Sequence, residues 1–125
     1  MREILFRGKR KDNSEWVEGY YCKYGFTGKE KHYIIPIYAS ALYAIEVLPE
    51  TVGQYTGICD KNSKKIFEED IIKTNGAVYG CRWAEYNYEF EFNNKNENFG
   101  IAYAQDVEVI GNIHDNPELL EGGAE

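Results

Sequence analysis

Between Tyr79 and Phe92 the side chains alternate with a period of two. Tyr79, Cys81 and Trp83 fall on one side of an extended chain. Tyr88, Phe90 and Phe92 fall on one side of the next, with Glu89 and Glu91 opposite. Successive residues of a strand point to opposite faces, so this pattern predicts two strands, each burying one face. Ala84 to Asn87 join them as a hairpin. A chain patterned this way is built from antiparallel strands, and the rest of the sequence repeats the theme.

Ile4 and Phe6 begin an N-terminal strand that runs into Arg7-Gly-Lys-Arg-Lys11, and Asp12-Asn13-Ser14 supplies turn chemistry. Trp16 to Tyr24 is a second strand, and His32 to Tyr38 a third, with Pro36 placing it near a sheet edge. Ala39 to Ala44 has room for a helical turn, and Ile45 to Leu48 is short and extended. Tyr55 to Cys59 and Ile66 to Lys73 flank the turn Asp60–Lys64, and Asn75-Gly76 is a turn dipeptide. Asn93 to Asn98 is a polar turn. Val107, Val109, Gly111 and Ile113 alternate in a last strand. Asp115 or Asn116 before Pro117 predicts an N-cap and one helical turn, Pro117 to Leu120, ahead of a frayed tail.

The expected fold is therefore mainly β, with one short C-terminal helical turn. Its strands form either two packed antiparallel sheets or an N-terminal sheet plus a C-terminal SH3-like barrel. Residues 1–125 are expected to form one domain, with a weak seam near residues 49–57.

The chain of 125 residues carries 11 Tyr, 6 Phe and 2 Trp, so it has the aromatic content of a packed core rather than a disordered segment. Its net charge of −7 disfavours bulk nucleic-acid binding, which depends on Lys and Arg neutralising phosphates. The charge sits unevenly: residues 60–125 hold 6 basic and 14 acidic groups. Three widely spaced cysteines, Cys22, Cys59 and Cys81, predict neither a disulfide framework nor a zinc site, and a reducing, cytoplasmic setting is expected. No apolar run approaches membrane-spanning length, and no leader is expected.

Three groups of words stand out. They are Arg2-Glu-Ile-Leu-Phe-Arg-Gly-Lys9 with Trp16-Val-Glu-Gly19; Pro49-Glu-Thr-Val-Gly-Gln-Tyr-Thr-Gly57 with Asp60-Lys-Asn62 and Ile66-Phe-Glu-Glu-Asp-Ile71; and Val109-Ile-Gly-Asn-Ile113 with Asn116-Pro-Glu-Leu119. In this order and spacing they resemble the YopX family of bacteriophage and prophage proteins, from Arg2 to Leu120. The resemblance implies a phage-encoded, mostly β protein that acts inside a bacterial host. It implies no catalytic residue set. The family often has Gly where this chain has Glu69; if that glycine adopts positive φ, the turn here must either differ or be strained.

No residue set predicts catalysis. The cysteines have no elbow motif, and Cys81 alternates with core positions. Glu68-Glu69-Asp70 matches no metal loop, so no metal and no cofactor are expected. Arg7, Lys9, Arg10 and Lys11 form the one basic cluster, and Tyr20, Tyr21, Tyr24, Tyr33, Tyr38 and Tyr43 crowd the first half. Tyrosine pairs an apolar ring with a polar tip and suits interfaces. Arg7, Lys9, Tyr20 and Tyr33 are the candidate ligand-binding residues. Strands apolar on both faces need cover on both, which a second sheet or a second subunit could supply, and a homo-oligomer is expected. The expected function is non-enzymatic binding of a host protein or a small molecule. A nucleic-acid-associated module and an acidic nucleic-acid mimic are the alternatives.

Overall fold

The computed structural model describes residues 4–39, 43–101 and 106–122. Among them the chain forms strands β1 (Phe6–Lys9), β2 (Trp16–Tyr24), β3 (Lys31–Pro36), β4 (Ile45–Val47), β5 (Gly53–Cys59), β6 (Lys65–Phe67), β7 (Asp70–Thr74), β8 (Ala77–Ala84), β9 (Glu89–Asn93), β10 (Asn98–Gly100) and β11 (Glu108–Asn112), then the helix α1 (Glu118–Gly122). Two compact units meet at Tyr55–Thr56, in the middle of β5. The protein is mainly β, with two antiparallel sheets and one short helix at the C-terminus.

In the first unit the strands run β4-β3-β2-β1, with the start of β5 beyond β1. The sheet curls strongly, and β4 returns towards the end of β1. Leu48 N–H donates to the Lys9 carbonyl at 2.8 Å, Lys11 N–H donates to the Glu46 carbonyl at 3.0 Å, and Arg10 bridges Val47. This is one bridge rather than a ladder. Two glycines permit the curl. A Cβ on Gly19 would lie 2.0 Å from the Ile35 carbonyl oxygen, and one on Gly8 would lie 3.1 Å from the Val47 side chain. No side chain fits at the first, and little room remains at the second. The concave face holds buried Ile34, Pro36 and Val47. Phe6 lies 5.4 Å from Tyr21, whose hydroxyl meets His32 Nδ1 at 2.6 Å.

In the second unit β5 continues beside β6, and the other strands run β10-β9-β8-β7-β11. The expected pairing across the hairpin is present, with Cys81 opposite Phe92, Trp83 opposite Phe90 and Arg82 opposite Glu91, but Glu91 on the other face is buried as well, and Tyr88 precedes β9 with φ = +55°. Ile66, Ile72, Tyr79, Cys81, Phe92, Val107 and Val109 form the buried cluster on one face. On the other face Leu120 of α1 lies 3.4 Å from where a Cβ of Gly80 would stand. Neither sheet closes among the described residues, so the SH3-like barrel is not what forms: β10 and β11 are opposite edges and do not pair with each other.

Several local expectations differ. Ile66 to Lys73 is two strands, because Glu69 takes φ = +74° and breaks the extended run. Glu69 thus takes the left-handed backbone that glycine adopts most readily. β3 lies near the sheet edge as expected, second from it beside the short β4, and Pro36 falls beyond its last pair with β4, Ile34↔Ile45. The β10 strand occupies the end of the predicted polar turn. The Asn116 side chain turns back to β11, where its Oδ1 accepts from Asn112 N–H at 3.3 Å. The turn considered for Ala39–Ala44 lies largely outside the described residues, as does the end of the tail.

Candidate functional site

Strand register brings the four candidate residues onto one surface. Arg7 pairs with Glu18 and Lys9 with Trp16 across β1 and β2; Tyr20 pairs with Ile35 and Cys22 with Tyr33 across β2 and β3. Directly paired residues share a face, and alternate residues of one strand share it too. Arg7, Lys9, Trp16, Glu18, Tyr20, Cys22, Tyr33 and Ile35 therefore lie together on the convex face of the first sheet. The concave face carries Phe6, Tyr21, Ile34 and Val47 instead.

The four residues are not equivalent. Tyr20 is 56% exposed and Tyr33 is half-buried. Arg7 is buried, and its guanidinium carbon sits 4.6 Å from the Trp16 ring centroid. Lys9 is half-buried, with Nζ 5.7 Å from the same centroid. Both cations face the ring's negative quadrupole, an arrangement worth about 0.5–2 kcal/mol depending on desolvation. Lys9 is further fixed through its backbone N–H, which donates to Thr51 Oγ1 at 2.8 Å. Of the basic cluster, Arg10 forks onto Asp12 at 2.8 and 3.0 Å, and Lys11 reaches Glu46 at 3.3 Å. The Asp12 partner holds the Arg10 guanidinium above its ordinary pKa. Arg10 and Lys11 lie beyond the end of β1.

This surface is an aromatic platform with a cationic margin. Tyr20, with Tyr24 at 77% exposure, presents open ring area, and Lys9 stands beside Trp16 at the β1 end. Beyond β3, Pro36, Tyr38, Ala39, Tyr43 and Ile45 line an apolar hollow of about 470 Å³. That volume is within the range of small-molecule sites. Trp16, which organises both cations, was read from the sequence only as a strand residue. The one signal was its parity with Tyr20, and its pairing with Lys9 depends on hairpin register.

Carboxylates of the second unit are engaged internally. Asp60 Oδ1 accepts from Asn62 N–H at 2.8 Å and Lys64 N–H at 2.9 Å, and Oδ2 accepts from Val109 N–H at 3.0 Å. Burial pushes its pKa up, but these three donors outweigh burial and hold it below the ordinary value. Glu91 is 2% exposed and accepts from Arg82 at 2.7 Å, from Tyr86 and from Asn98 at 3.3 Å. Its desolvation is likewise outweighed, by Tyr86 and Arg82, and its pKa is lowered. Asp70 is buried and accepts from Phe67 N–H at 2.7 Å. Glu69 Oε1 meets His114 Nε2 at 2.8 Å. Among the described residues no three His, Cys, Asp or Glu side chains group closely enough to hold a metal ion. No described helix is long and apolar enough to cross a membrane.

No curated protein matches the chain. Among solved structures it is similar to a crystal structure of protein EF1440 from Enterococcus faecalis. The TM-score is 0.55 and the identity 23%, over 96% of this chain and 99% of that one, so the likeness is one of fold. The YopX protein family model matches residues 5–121, nearly the whole described sequence. That span takes in Trp16, Asp60, Glu69 and the β11–α1 corner, and the chain belongs to the YopX family.

Proposed function

We propose that this protein is a non-enzymatic binding protein of a phage or prophage that acts in the cytoplasm of its bacterial host. It engages a host protein or a small molecule through the convex face of the first sheet. The observation that carries this reading is the register that sets Arg7, Lys9, Trp16, Tyr20 and Tyr33 on one surface. Exposed tyrosine on a rigid sheet gives contact area at low entropic cost. The hollow beside Tyr38 and Tyr43, which lies with Pro36 and Ile45 on the other face of the same sheet, has the volume of a small-molecule site.

The test is capture from host lysate with tagged protein, with and without nuclease, beside a Tyr20→Ser/Tyr33→Ser variant. A stoichiometric protein or retained small molecule that survives nuclease and is lost with the variant supports the reading. Sustained turnover of a substrate by the pure protein, or capture indifferent to the variant, overturns it. A homo-oligomer would use the same half-exposed face, and Tyr20→Glu should then dissociate it in light scattering.

The alternatives have less behind them. A nucleic-acid module would draw on the basic cluster, where Arg7 is buried over Trp16 and Arg10 and Lys11 are engaged with Asp12 and Glu46. An acidic mimic would draw on Glu85, Glu89 and Glu91, of which Glu91 is buried against Arg82.

A further inference from the structure

We infer that the tip of the β8–β9 hairpin is a second docking surface, one that fits a basic, arginine- or lysine-bearing segment of a protein partner. Around residues 85–88 the chain exposes three aromatic side chains: Trp83 at 39%, Tyr86 at 67% and Tyr88 at 80%. Tyr88 does not share the Phe90 and Phe92 face that alternation predicts, because its φ is +55°. A left-handed backbone is costly for a side chain with a Cβ, and such outliers persist where something else requires the residue. With the ring 80% exposed, burial does not offset that cost.

Tyr86 is held differently. Its hydroxyl donates to the buried Glu91 carboxylate, and Asn98 Nδ2 donates to the same hydroxyl at 2.9 Å. Glu91 is itself braced by Arg82. The phenol is thus pinned at its polar end while the ring stays open to solvent, which lowers the ordering cost of a contact. Trp83 is steadied edge-on by Phe90, with ring centroids 5.0 Å apart.

Charge selects the occupant. Glu85 is exposed and Glu89 half-exposed at the tip, and Arg82, the cation of this hairpin, is committed to Glu91. The surrounding unit, residues 56–125, has 6 basic and 14 acidic groups. Exposed rings beside carboxylates attract guanidinium and ammonium groups, and the field of the unit repels phosphate and acidic peptides.

The test is fluorescence anisotropy of a labelled octa-arginine peptide at physiological salt, with octa-glutamate as control. Saturable binding of octa-arginine alone is expected. Tyr88→Gly should weaken it at least tenfold while the urea midpoint holds or rises, because glycine accepts the left-handed backbone. Tyr88→Asn should do the same, and Glu85→Gln/Glu89→Gln should weaken binding about fivefold. Absence of saturable binding overturns the inference. So does undiminished binding by Tyr88→Gly and Tyr88→Asn, which would reduce the interaction to bulk charge.

Discussion

Replacing Asp60 by alanine should destabilise the second unit by about 3 kcal/mol. The carboxylate closes the β5–β6 turn through the N–H groups of Asn62 and Lys64, and ties that turn to β11 through Val109 N–H. Asn62 and Lys64 are exposed, so water can replace part of what they lose, at about 0.5–1 kcal/mol each. Val109 is buried, and its orphaned donor costs about 1–3 kcal/mol. Urea unfolding followed by circular dichroism should show the midpoint fall by roughly 1–3 M, given a slope of about 1–3 kcal/mol per molar for a small protein. Hydrogen exchange should show the Val109 amide losing protection more than Ile72, its partner on β7. The effect depends on pH with a definite sign. Asp60 is held below its ordinary pKa in the folded state, so its contribution is fully present above the unfolded value, near about 4, and is lost as pH falls through the folded value. The gap between wild type and Asp60→Ala should therefore narrow at strongly acid pH. A cost under about 1 kcal/mol at neutral pH, or a difference that does not shrink in acid, would refute the reasoning.

Three further outcomes are expected. Glu69→Gly should be more stable than Glu69→Ala by about 1 kcal/mol in urea, since both lose the His114 contact and only alanine keeps the left-handed penalty. Equal stabilities would show that the turn is not strained. Gly19→Ala should destabilise the first unit by about 3 kcal/mol or more, because its Cβ would meet the Ile35 carbonyl oxygen at 2.0 Å; an unchanged urea midpoint would contradict the close approach of β2 and β3. Glu91→Gln should cost about 1–2 kcal/mol, discounted from a fully buried charge pair because Arg82 is 54% exposed, and a neutral effect would mean that the Arg82–Glu91–Tyr86 group adds nothing to stability.

Much of the fold was legible where one physical rule dominated. The apolar face of the β8–β9 hairpin, with Cys81, Phe90 and Phe92, follows from period two, a residue pattern that needs no tertiary information, whereas the burial of Glu91 on the other face does not. The β6–β7 break was not legible as a break. Its φ is set by partners distant in sequence: Ile113 N–H donates to the Glu69 carbonyl at 3.0 Å, and Glu69 N–H donates to the Cys81 carbonyl at 2.7 Å. The YopX resemblance marked the position, and only these bonds explain its geometry. Tyr88 escaped the alternation rule for a similar reason, since a turn residue with φ of +55° no longer obeys the parity of the strand that follows.

For the candidate site, the residue types were visible and their company was not. Nothing local pairs Lys9 with Trp16 or Cys22 with Tyr33; register does, and register depends on how the turns between the strands close. The same folding placed Arg7 in a buried stack over Trp16, which its membership of a basic cluster in the sequence does not show.

By itself the sequence determined that this chain is strand-built, antiparallel, rich in tyrosine and acidic in its second half, because alternation, turn chemistry and charge are properties of residues in order. The tertiary structure alone decided that the first sheet curls around Gly8 and Gly19, that Asp60, Asp70 and Glu91 are interior carboxylates, and that Tyr86 and Tyr88 stand at an exposed hairpin tip. Those outcomes depend on which backbone groups from distant segments come within hydrogen-bonding reach, and that is a property of the closed chain rather than of any stretch of it.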